Sequence, residues 1–134
     1  MCIRDRWYTK AAEQGHARGQ YNLGYMYQAG EGVLKDHKEA VKWFTKAAEQ
    51  GNAGAQGNIG TMYFYGEGVV EDYVTAYAWQ IVAKANGADI EVNLVNLRSK
   101  MSPEQISVAQ ALARKIFQRI ENKKSDNPIN QRVD

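Results

Sequence analysis

The chain repeats itself with a period of 36 residues, and this periodicity restricts the possible folds more than any single residue does. Aligning residues 7–36 with residues 43–72 gives 19 identities in 30 positions. A repeat of this length is typical of a supersecondary unit that stacks on copies of itself. Because such a unit buries its apolar face only against its neighbours, the sequence predicts a solenoid.

Each unit is predicted to consist of two antiparallel helices, which makes the fold all-α. The first helix is expected over about 17–29, with its copy over about 53–65. Its core-facing residues recur at the spacing of one helical face: Gln20, Leu23, Gly24 and Tyr27. The second helix carries a broader apolar stripe: Ala40, Trp43, Phe44, Ala47 and Ala48.

Glycines and capping residues mark the predicted helix ends. Gly30 or Gly32 can adopt the left-handed conformation that ends a helix. Asp36 is placed to cap the next helix, and Glu39 is expected to complete a capping box. The second unit has Thr75 in place of that glutamate, which predicts a weaker cap there.

Glycines inside the first helices each need a physical reason, since a helical glycine costs roughly 1 kcal/mol against alanine. Gly24 and its copy Gly60 are expected to allow close packing of the partner helix. Gly54 and Gly57 fit better with a groove hollowed for a ligand backbone, and sequence drift at undemanding positions is an equal alternative. Substitution of Gly57 by alanine is expected to raise the melting temperature.

The last third of the chain departs from the repeat. Residues 89–121 are predicted to form the helical cap that repeat arrays need at their ends. Ser102-Pro-Glu-Gln105 predicts a helix start, with a serine cap, proline at the first position and glutamine at the third. That helix is expected to end near Glu121. Residues 122–134 are polar, and we predict a disordered tail there.

Several motifs of the repeat resemble those of a known family: Asn22-Leu-Gly-Tyr-Met-Tyr27, Gly30-Glu-Gly-Val33, Trp43-Phe44 and Ala47-Ala-Glu-Gln-Gly51. The pattern is similar to a Sel1-like repeat, a relative of the tetratricopeptide repeat with a longer inter-helix loop. Residues 17–52 and 53–88 would be two such repeats, and residues 7–16 the second helix of a truncated preceding one. The resemblance implies a right-handed α-solenoid from a bacterium, in a family whose members mostly bind other proteins and assemble complexes.

The resemblance also implies a binding surface. In tetratricopeptide-like solenoids the first helix of each pair lines the concave groove. Positions away from the core face are then the groove candidates: Arg18, Tyr21, Asn22, Tyr25, Gln28, Asn58, Thr61 and Phe64. Arg18 would offer charge, and the aromatic residues would offer large contact area. An equal alternative is that Tyr21 fills the space between repeats and that Tyr25 is an ordinary exposed aromatic residue.

No catalytic, cofactor or metal constellation stands out. His16 and His37 are 21 residues apart, each at a turn or cap position, and the Gly-x-Gly at Gly30 recurs with the repeat, as a structural element would. Relatives linked to β-lactam binding or hydrolysis are rich in cysteine, whereas this chain has one. The net charge of +2 argues against nucleic-acid binding, and no apolar run reaches the roughly 18 residues of a membrane span.

The first six residues do not follow the repeat. Met1-Cys-Ile-Arg-Asp-Arg6 resembles the in-frame translation of a transposase adapter used in preparing sequencing libraries. Residues 1–6 are therefore predicted to be a non-native sequencing scar, and the alternative is a native short N-terminal turn. The family resemblance favours an exported or periplasmic location, and a true start at Met1 favours a cytoplasmic one.

These observations predict a non-catalytic scaffold that binds a protein or peptide along the concave face, without nucleic acid, cofactor, metal or membrane insertion. Two alternatives stay open. The chain could be an accessory repeat domain of a larger enzyme or cell-envelope assembly protein whose catalytic part lies upstream. It could also be a repeat that only builds architecture.

Overall fold

The computed structural model describes the backbone of residues 3–126 and, within that range, all side chains except those of residues 5, 91–93 and 125–126. This part of the chain contains seven helices and no strand. The helices are α1 (Ile3–Glu13), α2 (Ala17–Ala29), α3 (His37–Glu49), α4 (Ala53–Tyr65), α5 (Tyr73–Ala85), α6 (Glu91–Arg98) and α7 (Pro103–Asp126). The prediction of an all-α fold is confirmed.

Two helix pairs form the body of the molecule. Helix α2 packs on α3, and α4 packs on α5 in the same way, while α3 also packs on α4 and joins the two pairs. Both first helices have the predicted bounds. Helix α1 packs on α2 at the position expected for the second helix of a preceding repeat. It begins at Ile3, inside the segment 1–6 that is predicted to be a scar. Helices α1 to α5 therefore stack in chain order.

An aspartate caps the start of α3 and a glycine ends α2, as predicted. The Asp36 side chain accepts hydrogen bonds from the backbone N–H groups of Lys38 at 3.0 Å and Glu39 at 3.2 Å. The backbone N–H of Asp36 donates to the Tyr27 carbonyl at 2.9 Å, so Glu39 does not complete the predicted capping box. Gly30 ends α2 in the left-handed conformation, with φ of 73°. The loop between the helices of a pair is thereby tied to the end of the first helix.

The cap of the second repeat is not simply a weaker copy. The Asp72 side chain accepts from the Thr75 backbone N–H at 3.1 Å and from the Thr75 hydroxyl at 2.7 Å. The hydroxyl adds a bond that glutamate at this position cannot supply. The predicted capping box at the start of α7 is present: Ser102 Oγ accepts from the Gln105 backbone N–H at 3.1 Å, and Gln105 Oε1 accepts from the Ser102 N–H at 2.9 Å.

Glycines at repeat-equivalent positions let the two helices of a pair approach closely. A Cβ atom added at Gly24 would lie 2.8 Å from the Phe44 ring, and one added at Gly60 would lie 2.6 Å from Nε2 of Gln80. Both distances are too short for a real side chain, and Phe44 is fully buried. The predicted role of these two glycines in helix packing is therefore confirmed.

Buried glutamine side chains connect neighbouring repeats, a feature that the sequence pattern did not reveal. Gln56 of α4 is fully buried; its Nε2 donates to the Ala48 carbonyl of α3 at 3.0 Å, and its Oε1 accepts from Asn86 at 2.9 Å. Gln20 repeats the arrangement one unit earlier: its Nε2 donates to the Ala12 carbonyl at 3.3 Å, and its Oε1 accepts from Gln50 Nε2 at 2.7 Å. Each amide thus joins three consecutive helices.

Helix α7 packs along the second helices of the repeats. It packs mainly on α5 and continues to Asp126, five residues beyond the predicted end near Glu121, so the predicted disordered tail is wrong for its first five residues. Arg119 donates to the Glu49 carboxylate at 2.6 and 3.0 Å, and Lys123 donates to it at 3.3 Å. These contacts connect α7 to the end of α3. The rest of the tail, 127–134, lies outside the described residues.

Replacing Gly57 by alanine is expected to stabilise the protein by about 0.5–1 kcal/mol, because alanine is the better helix former. A Cβ atom at this position would meet only Ile90 Cγ2, at 3.9 Å, which is ordinary van der Waals contact. Thermal unfolding followed by far-ultraviolet circular dichroism measures the change.

The matched control is Gly24→Ala, which makes the same substitution inside α2. Here the added methyl group collides with the buried Phe44 ring, and we expect a loss of about 1–3 kcal/mol. Equal changes in melting temperature for the two variants would contradict the packing described for these helices.

Replacing Gln56 by leucine is expected to reduce the free energy of unfolding by about 2 kcal/mol or more, because it removes two hydrogen bonds at a buried position: the one that Gln56 donates to the Ala48 carbonyl and the one that it accepts from Asn86. Gln118→Leu is the control, since the exposed Gln118 side chain donates to exposed Asn122, and we expect a change within about 0.5 kcal/mol. Urea unfolding curves measure both. A similar small effect for both variants would show that the glutamine bridge does not stabilise the stack.

Candidate functional site

The outer face of α2 carries three of the predicted groove residues. Arg18, Asn22 and Tyr25 lie at i, i+4 and i+7, and therefore share one side of the helix. Arg18 is exposed, Asn22 is half-buried, and the Tyr25 side chain is 48% exposed. Together they present a cation, an amide and an aromatic ring along one side of α2. We call this set the first-helix surface.

Tyr21 lies elsewhere. Its ring packs on Phe44, with 5.7 Å between the ring centroids, and a Cβ atom at Gly54 would lie 3.0 Å from Tyr21 Cε2. The position of Tyr21 matches the alternative interpretation, in which it fills the space between repeats. The ring also occupies the space that a hollow at Gly54 would leave for a ligand, so the hollowed-groove interpretation is wrong for Gly54.

Gln28 lies in the last turn of α2 and is half-buried. It follows Tyr21 by seven residues, so the two share a sector of the helix that is distinct from the first-helix surface. Its repeat equivalent is Phe64, whose ring packs on Tyr73 with 5.5 Å between the centroids. Gln28 and Phe64 therefore lie at the side of the first-helix surface.

On α4 the equivalent positions are more polar and more enclosed. Asn58 and Thr61 repeat Asn22 and Tyr25, and both are half-buried. The Thr61 hydroxyl donates to the Gly57 carbonyl at 3.1 Å and accepts from Gln80 at 3.4 Å. A pocket of about 120 Å³ opens between α4, α5 and α6, lined by Thr61, Phe64, Tyr65, Gln80, Asn96 and Leu97.

Tyr65 is a candidate contact residue that the sequence analysis missed. It is 63% exposed, and its ring packs on Phe64 with 4.7 Å between the centroids. Its repeat equivalent is Ala29, so comparison of the repeats offered no reason to select it. The three adjacent aromatic residues, Tyr63-Phe64-Tyr65, are the sequence feature that indicates a contact surface here.

A larger cleft lies between α5, α6 and α7, and the sequence analysis did not predict it. Its volume is about 910 Å³. The lining residues are Tyr77, Ile81, Val82, Lys84, Ala85, Leu94, Arg98, Gln110, Ala113, Arg114, Phe117 and Gln118. We call this space the C-terminal cleft. It exists because α7 runs along α5 rather than stacking as a further repeat.

The described residues show no arrangement suited to a metal ion. No group of three or more histidine, cysteine, aspartate or glutamate side chains comes together within 3–126 where side chains are described. His16 is exposed before α2, and His37 Nδ1 lies 3.8 Å from the Glu67 carboxylate across the loop that follows α4. None of the helices in this range is long and apolar enough to cross a membrane.

The fold and this surface define a class of protein: an α-solenoid of stacked helix pairs with solvent-facing first helices. The profile described as Sel1 repeat matches residues 6–16, 17–52 and 53–79, which is more than half of the chain. The chain belongs to the Sel1 repeat family. Members of this family are typically protein-interaction scaffolds.

Two solved structures are similar to this chain. One is a protective antigen present in uropathogenic Escherichia coli strains that displays an SLR fold, with 36% sequence identity and a TM-score of 0.84 over 89% of this chain and 26% of the antigen. The other is a Sel1 repeat protein from Oxalobacter formigenes, with 45% identity and a TM-score of 0.62 over 63% of this chain and 35% of that protein. The present chain thus spans about a third or less of either relative. Comparison with curated protein sequences gives no match.

Proposed function

We propose that this chain is a non-catalytic scaffold that binds a peptide or partner protein along the concave, first-helix side of the solenoid. The exposed Tyr25 ring, on the same side of α2 as Arg18 and Asn22, carries the proposal. Tyrosine and arginine are enriched among residues that dominate binding energies, because they combine large contact area with directed hydrogen bonds. The scaffold role agrees with the typical role of Sel1-repeat proteins.

The contact energy would come from a subset of the predicted groove residues. Tyr21 and Phe64 already pack against neighbouring aromatic rings, so a ligand gains less from them than from the exposed rings. Tyr25 on α2 and Tyr65 on α4 are the two exposed tyrosines among the residues that the structure describes. Asn58 and Thr61 on α4, with Gln28 on α2, would add polar contacts along the same side.

The packing of α2 against α4 supports a continuous surface. A Cβ atom added at Gly54 of α4 would lie 3.0 Å from Tyr21 Cε2, and Tyr21 packs against a cluster that includes Ala55 of α4, so the two first helices are neighbours. A ligand that contacts Arg18 and Tyr25 would therefore meet Asn58 and Thr61 next. An extended peptide or a partner helix could span both units.

Tyr25→Ala is expected to weaken binding of a purified partner by about tenfold or more, and Arg18→Ala by a smaller factor. The partner is first isolated from a lysate on the immobilised protein, then identified, purified and titrated by isothermal calorimetry. Leu34→Ala is the control, because Leu34 is 90% exposed in the loop after α2 and lies off this surface. Unchanged affinity for both the Tyr25 and Arg18 variants would refute the assignment of the first-helix surface.

A second candidate is that the chain acts as an accessory repeat domain of a larger protein. Trp7 is 60% exposed, whereas its repeat equivalents Trp43 and Trp79 are 8% and 5% exposed. Trp43 belongs to a cluster with Leu23 and Met26 of the first helix before it, and a helix of that kind packed on Trp7 would bury it equally. Sequencing the source DNA upstream of this reading frame tests the proposal, since a catalytic or assembly domain in frame would support it.

A further inference from the structure

We propose that the C-terminal cleft binds a short acidic segment of a partner protein that also carries a large apolar side chain. The inference rests on the proposed scaffold function for the kind of ligand, a peptide, but assigns it to a surface separate from the first-helix surface. Three properties of the cleft favour such a ligand: its apolar floor, the sign of its charge and its size.

The floor of the cleft is apolar and partly open to solvent. Ile81 of α5 is half-buried, Leu94 of α6 is 5% exposed, and Phe117 of α7 is 38% exposed. Phe117 is thus one of the few large apolar side chains of α7 that its neighbours leave uncovered. A leucine or phenylalanine side chain of a ligand would bury this ring and remove apolar area from water.

Each of the three walls contributes one positive charge. Lys84 lies on α5, Arg98 on α6 and Arg114 on α7, and all three residues are exposed. Gln110 and Gln118 add amide groups, and none of the lining residues is an aspartate or a glutamate. Lys84 and Arg98 also interact within the chain, and every charged side chain that lines the cleft is positive. A cleft lined by one sign of charge attracts ligands of the opposite sign.

Size and composition favour a peptide over a nucleic acid. The volume of about 910 Å³ lies near the upper end of the roughly 300–1,000 Å³ of typical ligand sites, which suits a few residues of a peptide. A nucleic acid needs a run of cations that follows its phosphates, whereas these cations surround an apolar floor. A peptide whose carboxylates meet the lysine and arginine side chains, and whose apolar side chain contacts Phe117, matches this lining.

The contacts of α7 keep this cleft in one shape. The Glu49 carboxylate accepts from Arg119 and Lys123 beyond the cleft, and Ala113 and Ile116 belong to the same buried cluster as Val82 of α5. Because these contacts fix the position of α7, the backbone at Arg114 and Phe117 is in place before a ligand arrives. A preformed site loses less conformational entropy on binding.

Three fluorescein-labelled nonapeptides test the proposal by fluorescence anisotropy: repeats of Glu-Glu-Leu, of Lys-Lys-Leu and of Glu-Glu-Ser. We expect the Glu-Glu-Leu peptide to bind about tenfold tighter than either of the others, because only it offers both carboxylates and apolar side chains. Equal binding of the Lys-Lys-Leu peptide, or no binding of the Glu-Glu-Leu peptide, would overturn the proposal and leave the first-helix surface untouched.

Two matched pairs of variants locate the site on the full chain. Arg114→Glu is expected to weaken Glu-Glu-Leu binding about tenfold, whereas Lys115→Glu, the same charge reversal at the exposed neighbour outside the cleft, changes it less than about threefold. Phe117→Ser is expected to weaken binding, and Val108→Ser, on the same helix at 58% exposure, is not. Circular dichroism melts show whether each variant is folded.

Other outcomes would place the peptide elsewhere. Equal weakening by Arg114→Glu and Lys115→Glu would show general charge attraction and overturn the proposal. Loss of Glu-Glu-Leu binding in Tyr25→Ala would assign the peptide to the first-helix surface instead. Competition by a nonamer of deoxythymidine that depends on Arg114 would assign the cleft to single-stranded nucleic acid.

Discussion

The buried glutamine bridge between consecutive repeats is the interaction on which the stack depends. Gln56 joins the last turn of α3 to the end of α5 through the Ala48 carbonyl and Asn86. A shift of α4 along its neighbours would leave the buried Gln56 amide without its partners, at a cost of about 1–3 kcal/mol for each unpaired group. Because Gln20 makes the same bridge one unit earlier, both first helices are held at the same height and rotation. The direction in which Arg18, Asn22 and Tyr25 point follows from that register.

At the C-terminal end of the array, helices α6 and α7 no longer follow the repeat. Helix α6 packs on α5, and the 24 residues of α7 then run along α5 to the end of α3. This path covers apolar surface of both repeats at once, which a further stacked repeat does not do. It also leaves a space between three helices, and the C-terminal cleft is that space. A binding surface therefore arises from the departure of the C-terminal helices from the repeat symmetry.

The candidate site could be predicted only in part, and particular residues show why. Periodicity correctly placed Arg18, Asn22 and Tyr25 away from the core of their own helix pair. It could not distinguish Tyr21 from Tyr25, because both lie off that core face and only the position of α4 shows that Tyr21 packs on the next repeat. Phe64 differs for the same reason, since its ring is covered by Tyr73. Tyr65 was missed because its repeat equivalent is alanine.

The amino-acid sequence by itself determined the local structure: the two helix pairs, their bounds, the closely packed glycines and the capping residues. These features depend on interactions within one or two turns or within one repeated unit, so they leave a periodic signal. Only the tertiary structure decided the glutamine bridges, the path of α7 and the C-terminal cleft. Gln20 and Gln56 do recur with the repeat, but the period does not identify the groups that they bond. The contacts of α7, such as that of Arg119 with Glu49, join different units and have no repeated counterpart in the sequence.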